Sequence, residues 1–365
     1  MSAADDLRNN VNDTMNNTNF GDLDNIVNDL GGSGQNIFGG SSFFDRVSRI
    51  LSGDFAADYP NIFQAILALF GETILSILPT IFLIISIAIL SGFLCSLKGQ
   101  SGGEGVKNIV HFVTYAAIVV IVMLGVTRLV AQVGGALSSM TRQMNIIFPI
   151  LLTLMVSVGS TASAGVYQPA VAVLSNGVMQ IFSMIAMPLF IMTLVFSVVG
   201  HLSPSARLNK FVSFFTSSYK WIVGLVFTIF LAFLAIQGIT AGTHDGVSIR
   251  AARMTISSYV PYLGGYISQG FDLVMASSVL IKNAVGMAGL YLLLAAVLAP
   301  IASIVVFSLG LKLAAAITQP IADDRISDFL TTVNKAFSML ISVLVGAAFM
   351  YFLTIGLIIM TGNVL

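Results

Sequence analysis

The chain has 365 residues, of which only 9% are charged and 56% hydrophobic, and its mean hydropathy is +0.95. Soluble domains carry roughly 25% charged residues, so a water-soluble protein of this size could not cover its surface with so few. The net charge is zero, and no basic run or aromatic–basic stripe points to nucleic acid.

That zero hides an asymmetry. Residues 1–60 hold nine Asp against Arg8, Arg46 and Arg49, a balance of −6, which leaves +6 on the remainder. Residues 1–42 are rich in Asn, Asp, Gly and Ser, a composition that predicts a mostly disordered tail. Phe43 to Phe70 is mixed in character and reads as a helix lying on the membrane surface. The chain therefore divides into an acidic tail with a surface helix, residues 1–60, and a transmembrane domain, residues 61–365. Met1–Asn10 has neither the basic flank nor the apolar run of a signal peptide. The tail's negative charge would permit its export without one, and it is expected outside.

A span needs about 20 apolar residues. Six stretches qualify: 75–95, 109–126, 178–199, 221–239, 288–309 and 337–360. Two more apolar regions, 146–177 and 259–286, each open with a short run after a proline and dissolve into Gly, Ser and Ala. Irregular backbone is not tolerated against lipid, so these read as re-entrant or broken helical hairpins held among the other helices. The expected fold is an all-α polytopic membrane protein with about six full spans and two such hairpins; eight full crossings are the alternative.

With the tail outside and the six spans alternating, the inside loops hold Lys98, Lys107, Arg207, Lys210, Lys220, Lys312, Arg325 and Lys335. The outside loops hold Arg128, Arg142, Arg250 and Arg253. That sorting follows the positive-inside rule.

Prolines also expose an internal repeat. Pro149 and Pro188 are 39 residues apart, as are Pro261 and Pro300. IIFPILL resembles SYVPYLG, and KNIVHFVTY resembles NKFVSFFTSSY. The units are placed at about 106–200 and 207–310, with a partial third from 325. Paired repeats with broken helices occur in transport proteins. Within these units, 207–220 and 325–337 are amphipathic and are expected to lie flat in the cytoplasmic interface.

No catalytic constellation emerges. His111, His201 and His244 are scattered, the single Cys95 excludes an internal disulfide, and no phosphate-binding GxxxxGK[ST] loop is present. The reading is a non-enzyme with no cofactor or metal. Intramembrane polarity remains, and because it is costly it marks candidate sites. Region 259–286 contains Asp272, Lys282 and Asn283; opposite charges there can pair and lower each other's cost. Such a pair would fix the hairpin or line a path. Region 146–177 offers Gln168 beside Ser160, Thr161, Ser163 and Asn176. Pro149, Pro169, Pro188, Pro261 and Pro300 are the kink candidates, and Gly264, Gly265 and Gly286 suit tight helix crossings. AGTHDGVSIRAAR, at 241–253, reads as an outside loop.

The run DGVSIRAARMTISSYVPYLGGYISQGFDLVMASSVLIKNAVGMAGL resembles the signature of the stage III sporulation protein AE family. FPILLTLMVSVGSTASAGVYQPAVAVLS and DDRISDFLTTVNKAFSML are similar to it as well, so the resemblance covers about residues 60–365. It implies a multi-pass subunit in the mother-cell membrane surrounding the forespore of an endospore-forming bacterium. It implies partners too: sister subunits of one channel or secretion-like complex, including an ATPase subunit, and the lipid bilayer. A homo-oligomer would be needed to enclose a wide conduit, because six spans of one chain enclose little space. A stand-alone secondary transporter of a small solute is the competing reading.

Overall fold

A computed structural model of the chain describes residues 3–18, 20–39, 42–53, 59–97, 104–202, 208–259, 264–320 and 324–361. Every element among them is helical. Four short helices lead: α1 (Ala3–Asn17), α2 (Gly21–Asp29), α3 (Gly32–Phe38) and α4 (Phe43–Ser52). The long helices follow: α5 (Tyr59–Leu97), α6 (Glu104–Ser157), a composite α7–α9 (Thr161–Leu202), α10 (Asn209–Tyr259), α11 (Gly264–Thr318) and α12 (Asp324–Met360). Among the described residues, six helices are long and apolar enough to cross a membrane.

The tail departs from expectation. Instead of being largely disordered, its described residues form α1–α4 and pack against α11, α5 and α6. Mean composition conceals one short apolar stripe per helix: Leu23, Ile26 and Val27 on α2, and Phe43 and Val47 on α4, all buried. Local signals reinforce the helices. Ser42 caps α4 by accepting from the Asp45 amide at 3.1 Å, the usual N-cap arrangement. Asp24 Oδ1 accepts from the Phe43 amide, tying α2 to α4. Arg46 is buried with its guanidinium 4.2 Å from the ring centroid of Tyr291 on α11. Arg142 on α6 bonds Asp29 at 3.0 Å.

The first broken region holds the tip of a helical hairpin, whereas the second covers the start of α11 and, at 260–263, residues outside those described. In the first, α6 ends at Ser157, and Gly159 follows in the left-handed region with φ +84°. The Ser160 amide donates to Met155 O at 3.0 Å and the Gly159 amide to Val156 O at 2.9 Å. This pair of bonds is the Schellman arrangement that closes a helix on a glycine. Pro149, one of the kink candidates, lies inside α6. Pro169 and Pro300 likewise sit within continuous helix, in α7 and α11, where neighbouring helices re-satisfy the freed backbone groups. α9 begins at Met187, and Pro188 follows a π-helical turn, Phe182–Ala186. A proline ring crowds the carbonyl four residues back, here that of Met184 inside the widened turn. Pro261 lies outside the described residues, as do Arg207 and Asp323, whereas Gly264 and Gly265 begin α11.

Two further expectations are corrected. The amphipathic segments do not lie flat: α10 runs from Asn209 and α12 from Asp324 straight into their spans. No proline interrupts either junction, and the apolar face Ile326, Phe329, Leu330, Val333 is buried in the bundle. Residues 241–253 are not a loop but the extension of α10. At 1.5 Å per residue, α6, α10 and α11 each run about 75–85 Å, against ~30 Å of hydrocarbon. Each of the two expected repeat units covers one hairpin, α6 with α7–α9 and α10 with α11.

Helix α11 is the hub, packing most heavily on α12, α6 and α5. Half of its most apolar stretch is buried, against 22% for α5, whose exposed Phe63, Leu75 and Phe82 form an outward apolar face. Glycines set the close crossings. Gly286 of α11 receives Ile359 of α12, Gly310 receives Ile81 of α5, Gly125 of α6 receives Phe307, and Gly346 of α12 receives Phe227 of α10. A methyl group at any of them would overlap the incoming side chain.

Candidate functional site

The strongest polar feature of the bundle interior centres on Lys282. Helix α11 carries it inward at the level where α12 ends, and its side chain is fully buried. Its ammonium donates to the carbonyl oxygen of Thr361, the residue just beyond α12. The last carbonyls of a helix lack intrahelical donors and mark the negative end of its dipole. A buried cation is therefore met there by a partner that needs both a donor and a positive charge. Thr361 also ties in the first hairpin: its hydroxyl donates to Leu357 O at 2.7 Å and lies 3.2 Å from the hydroxyl of buried Tyr167 on α7.

The expected Asp272–Lys282 pair does not form. Both residues sit on α11, ten positions apart, which is about 15 Å of helical rise. Lys282 reaches the helix terminus of α12 instead. Asn283 is adjacent and half-buried, with an Oδ1 that has no hydrogen-bond partner among the described residues. Ser160, at the tip of the first hairpin, is fully buried with its Oγ likewise unpartnered. Gln168 is next to Tyr167 but exposed, with no contact placing it in the Lys282 cluster. Gly286, one turn beyond Lys282, lets α12 approach closely enough for Thr361 to reach the ammonium.

The cluster thus joins α7, α11 and the end of α12, with Lys282, Thr361 and Tyr167 at its centre. Sequence reasoning found Lys282 and missed the other two. A backbone carbonyl at a helix end has no residue-type signature, and Tyr167 stands 194 residues from Thr361. Chemically the arrangement is a clamp: one donor-rich cation, one freed carbonyl and two hydroxyls. Among the described residues, no three His, Cys, Asp or Glu side chains converge on a point that could hold a metal ion.

Comparison with known proteins agrees with the sequence motifs. The family model described as Stage III sporulation protein AE matches residues 41–362. The chain is similar to the stage III sporulation protein AE of Bacillus subtilis (strain 168), with 25% identity over 258 residues. That match covers 71% of this chain and 65% of the relative, so the chain spans just under two thirds of the curated relative's length. No solved structure matches.

Proposed function

The chain belongs to the stage III sporulation protein AE family, and from that membership we propose that it is a non-enzymatic membrane subunit of a channel or secretion-like complex between mother cell and forespore. The observation that carries this reading is a family match running across all six candidate spans. The packing supports a subunit role. Helix α11 is surrounded by α5, α6 and α12, and its inward positions are filled by Ile281, Leu292, Ile304 and Leu311. On this reading a conduit forms between chains, with sister subunits and an ATPase subunit supplying the remaining wall and the energy. The site of action is the mother-cell membrane around the forespore, with the acidic tail on its outer side.

Deleting the gene in its source organism and following sporulating cells by microscopy tests the proposal. Arrest after engulfment, with late forespore transcription failing, is the expected result. Normal spores would remove the reading.

A second reading, a stand-alone secondary transporter, is favoured by one observation: a buried lysine where α11 meets the end of α12 and the π-interrupted α7–α9, intramembrane charge beside irregular helix being the setting in which transporters place their sites. Solute flux by the purified chain alone in proteoliposomes would support it. Function only in the presence of sister subunits would favour the complex.

A further inference from the structure

Some thirty residues along α11 from Lys282, the bundle opens into a cleft of about 980 Å³ between α9, α10, α11 and α12. Its wall carries Lys220 from α10, Lys312 from α11 and Lys335 from α12, together with hydroxyls such as those of Thr193 and Thr216. Among the described residues no carboxylate lines it. Asp328 stands one position from the lining residue Ser327 but is not part of the wall. None of the three ammonium groups forms an ion pair among the described residues, and all three side chains are exposed. Three like charges facing one polar cleft repel each other unless an anion lies between them.

The surroundings say which anion. Leu309 and Leu313, flanking Lys312, are 58% and 56% exposed, so the mouth of the cleft opens on an apolar exterior. Lys220 is shared with a second groove of about 610 Å³ on the outer face of α10, lined by Ser217, Trp221, Gly224, Leu225, Thr228 and Ile229. These positions recur at helical spacing and trace about 18 Å along the helix, comparable with the ~15 Å of one leaflet's hydrocarbon. Trp221 is 72% exposed at the head of the groove, in the manner of aromatic residues at a membrane interface. Gly224 leaves a notch, with nothing within 4 Å of the space its side chain would fill. Lysines reaching polar headgroups from an apolar surface fit the same level.

We propose that the cleft and the groove together bind one anionic phospholipid, its phosphate headgroup among Lys220, Lys312 and Lys335 and one acyl chain along α10 past Gly224. A free phosphate would use the cleft and leave the groove empty.

The test uses the full chain purified in mild detergent and offered mixed phosphatidylglycerol and phosphatidylcholine, with retained lipid read by native mass spectrometry. Phosphatidylglycerol should be retained with a preference on the order of tenfold or more. The K220Q/K312Q/K335Q variant should bring the preference to unity, and Gly224→Leu should lower retention by blocking the groove. Equal retention of both lipids overturns the proposal, as does an undiminished preference in the triple variant. Displacement by millimolar inorganic phosphate that is indifferent to Gly224→Leu assigns the cleft to a free anion and overturns the lipid. Should the triple variant fail to fold, the exposed single changes K312Q and K335Q decide: each should cut the preference severalfold, and no change overturns the proposal.

Discussion

Lys282 and the trio Lys220, Lys312 and Lys335 place the same ammonium group in opposite settings at two ends of one bundle. Lys282 has no exposure and is met by the carbonyl at the end of α12. The other three are exposed and face an open cleft, with no carboxylate among its described lining residues. A buried cation survives only if its hydrogen bonds are made within the protein. Lys282 is therefore committed to holding helices together, whereas the three cleft lysines keep their bonding capacity for something else.

Substitutions sharpen this contrast, and their effects should fall in a definite order. Lys282→Ala removes a buried stem and leaves the Thr361 carbonyl without its charged donor. It should cost about 3–5 kcal/mol and give the largest drop in unfolding temperature in detergent. An unchanged temperature would show that the clamp holds nothing. Gly286→Val comes next, since a branched side chain there meets Ile359. It should push α12 away and cost about 1–3 kcal/mol. Combined with Lys282→Ala it should add less than its own effect, because both loosen the same crossing. Tyr167→Phe removes one hydroxyl from the cluster while keeping the ring, for about 0.5–1.5 kcal/mol, read from the same melting curves. Lys335→Gln should leave the melting temperature where it is. A clear shift there would mean that the cleft lysines are structural after all, and the contrast would fail.

Much of this was written in the residue pattern. The long apolar stretches give the spans, and the polar interruption at 146–177 marks the tip of the first hairpin. The turn falls at Gly159, in the Gly, Ser and Ala stretch that follows Pro149, while Pro149 itself stays inside α6. In water a proline ends a helix, but inside a packed membrane bundle it is carried along. Lys282 was legible because a charge in an apolar run is rare. Its partner was not, since pairing was sought among side chains and the ammonium found a main-chain oxygen 79 residues away. The tail was misread for a different reason: its apolar residues are few, yet Leu23, Ile26 and Val27, like Phe43 and Val47, repeat at helical spacing and all reach the interior. Average composition cannot see a stripe three residues long.

The docking of α1, α3 and α4 on α11 also sets a timetable. Helix α4 is complete at Ser52, and its seat begins at Gly264, more than two hundred residues later in synthesis. At ~5–20 residues per second, the tail waits on the order of 10–40 s for the surface it will cover. Through that interval α2 and α3 can already meet α6 and α5, but α1 and α4 lack their seat on α11, and the surplus of Asp helps keep them dissolved until the hub helix arrives. A segment made before every span is thus among the last to find its place.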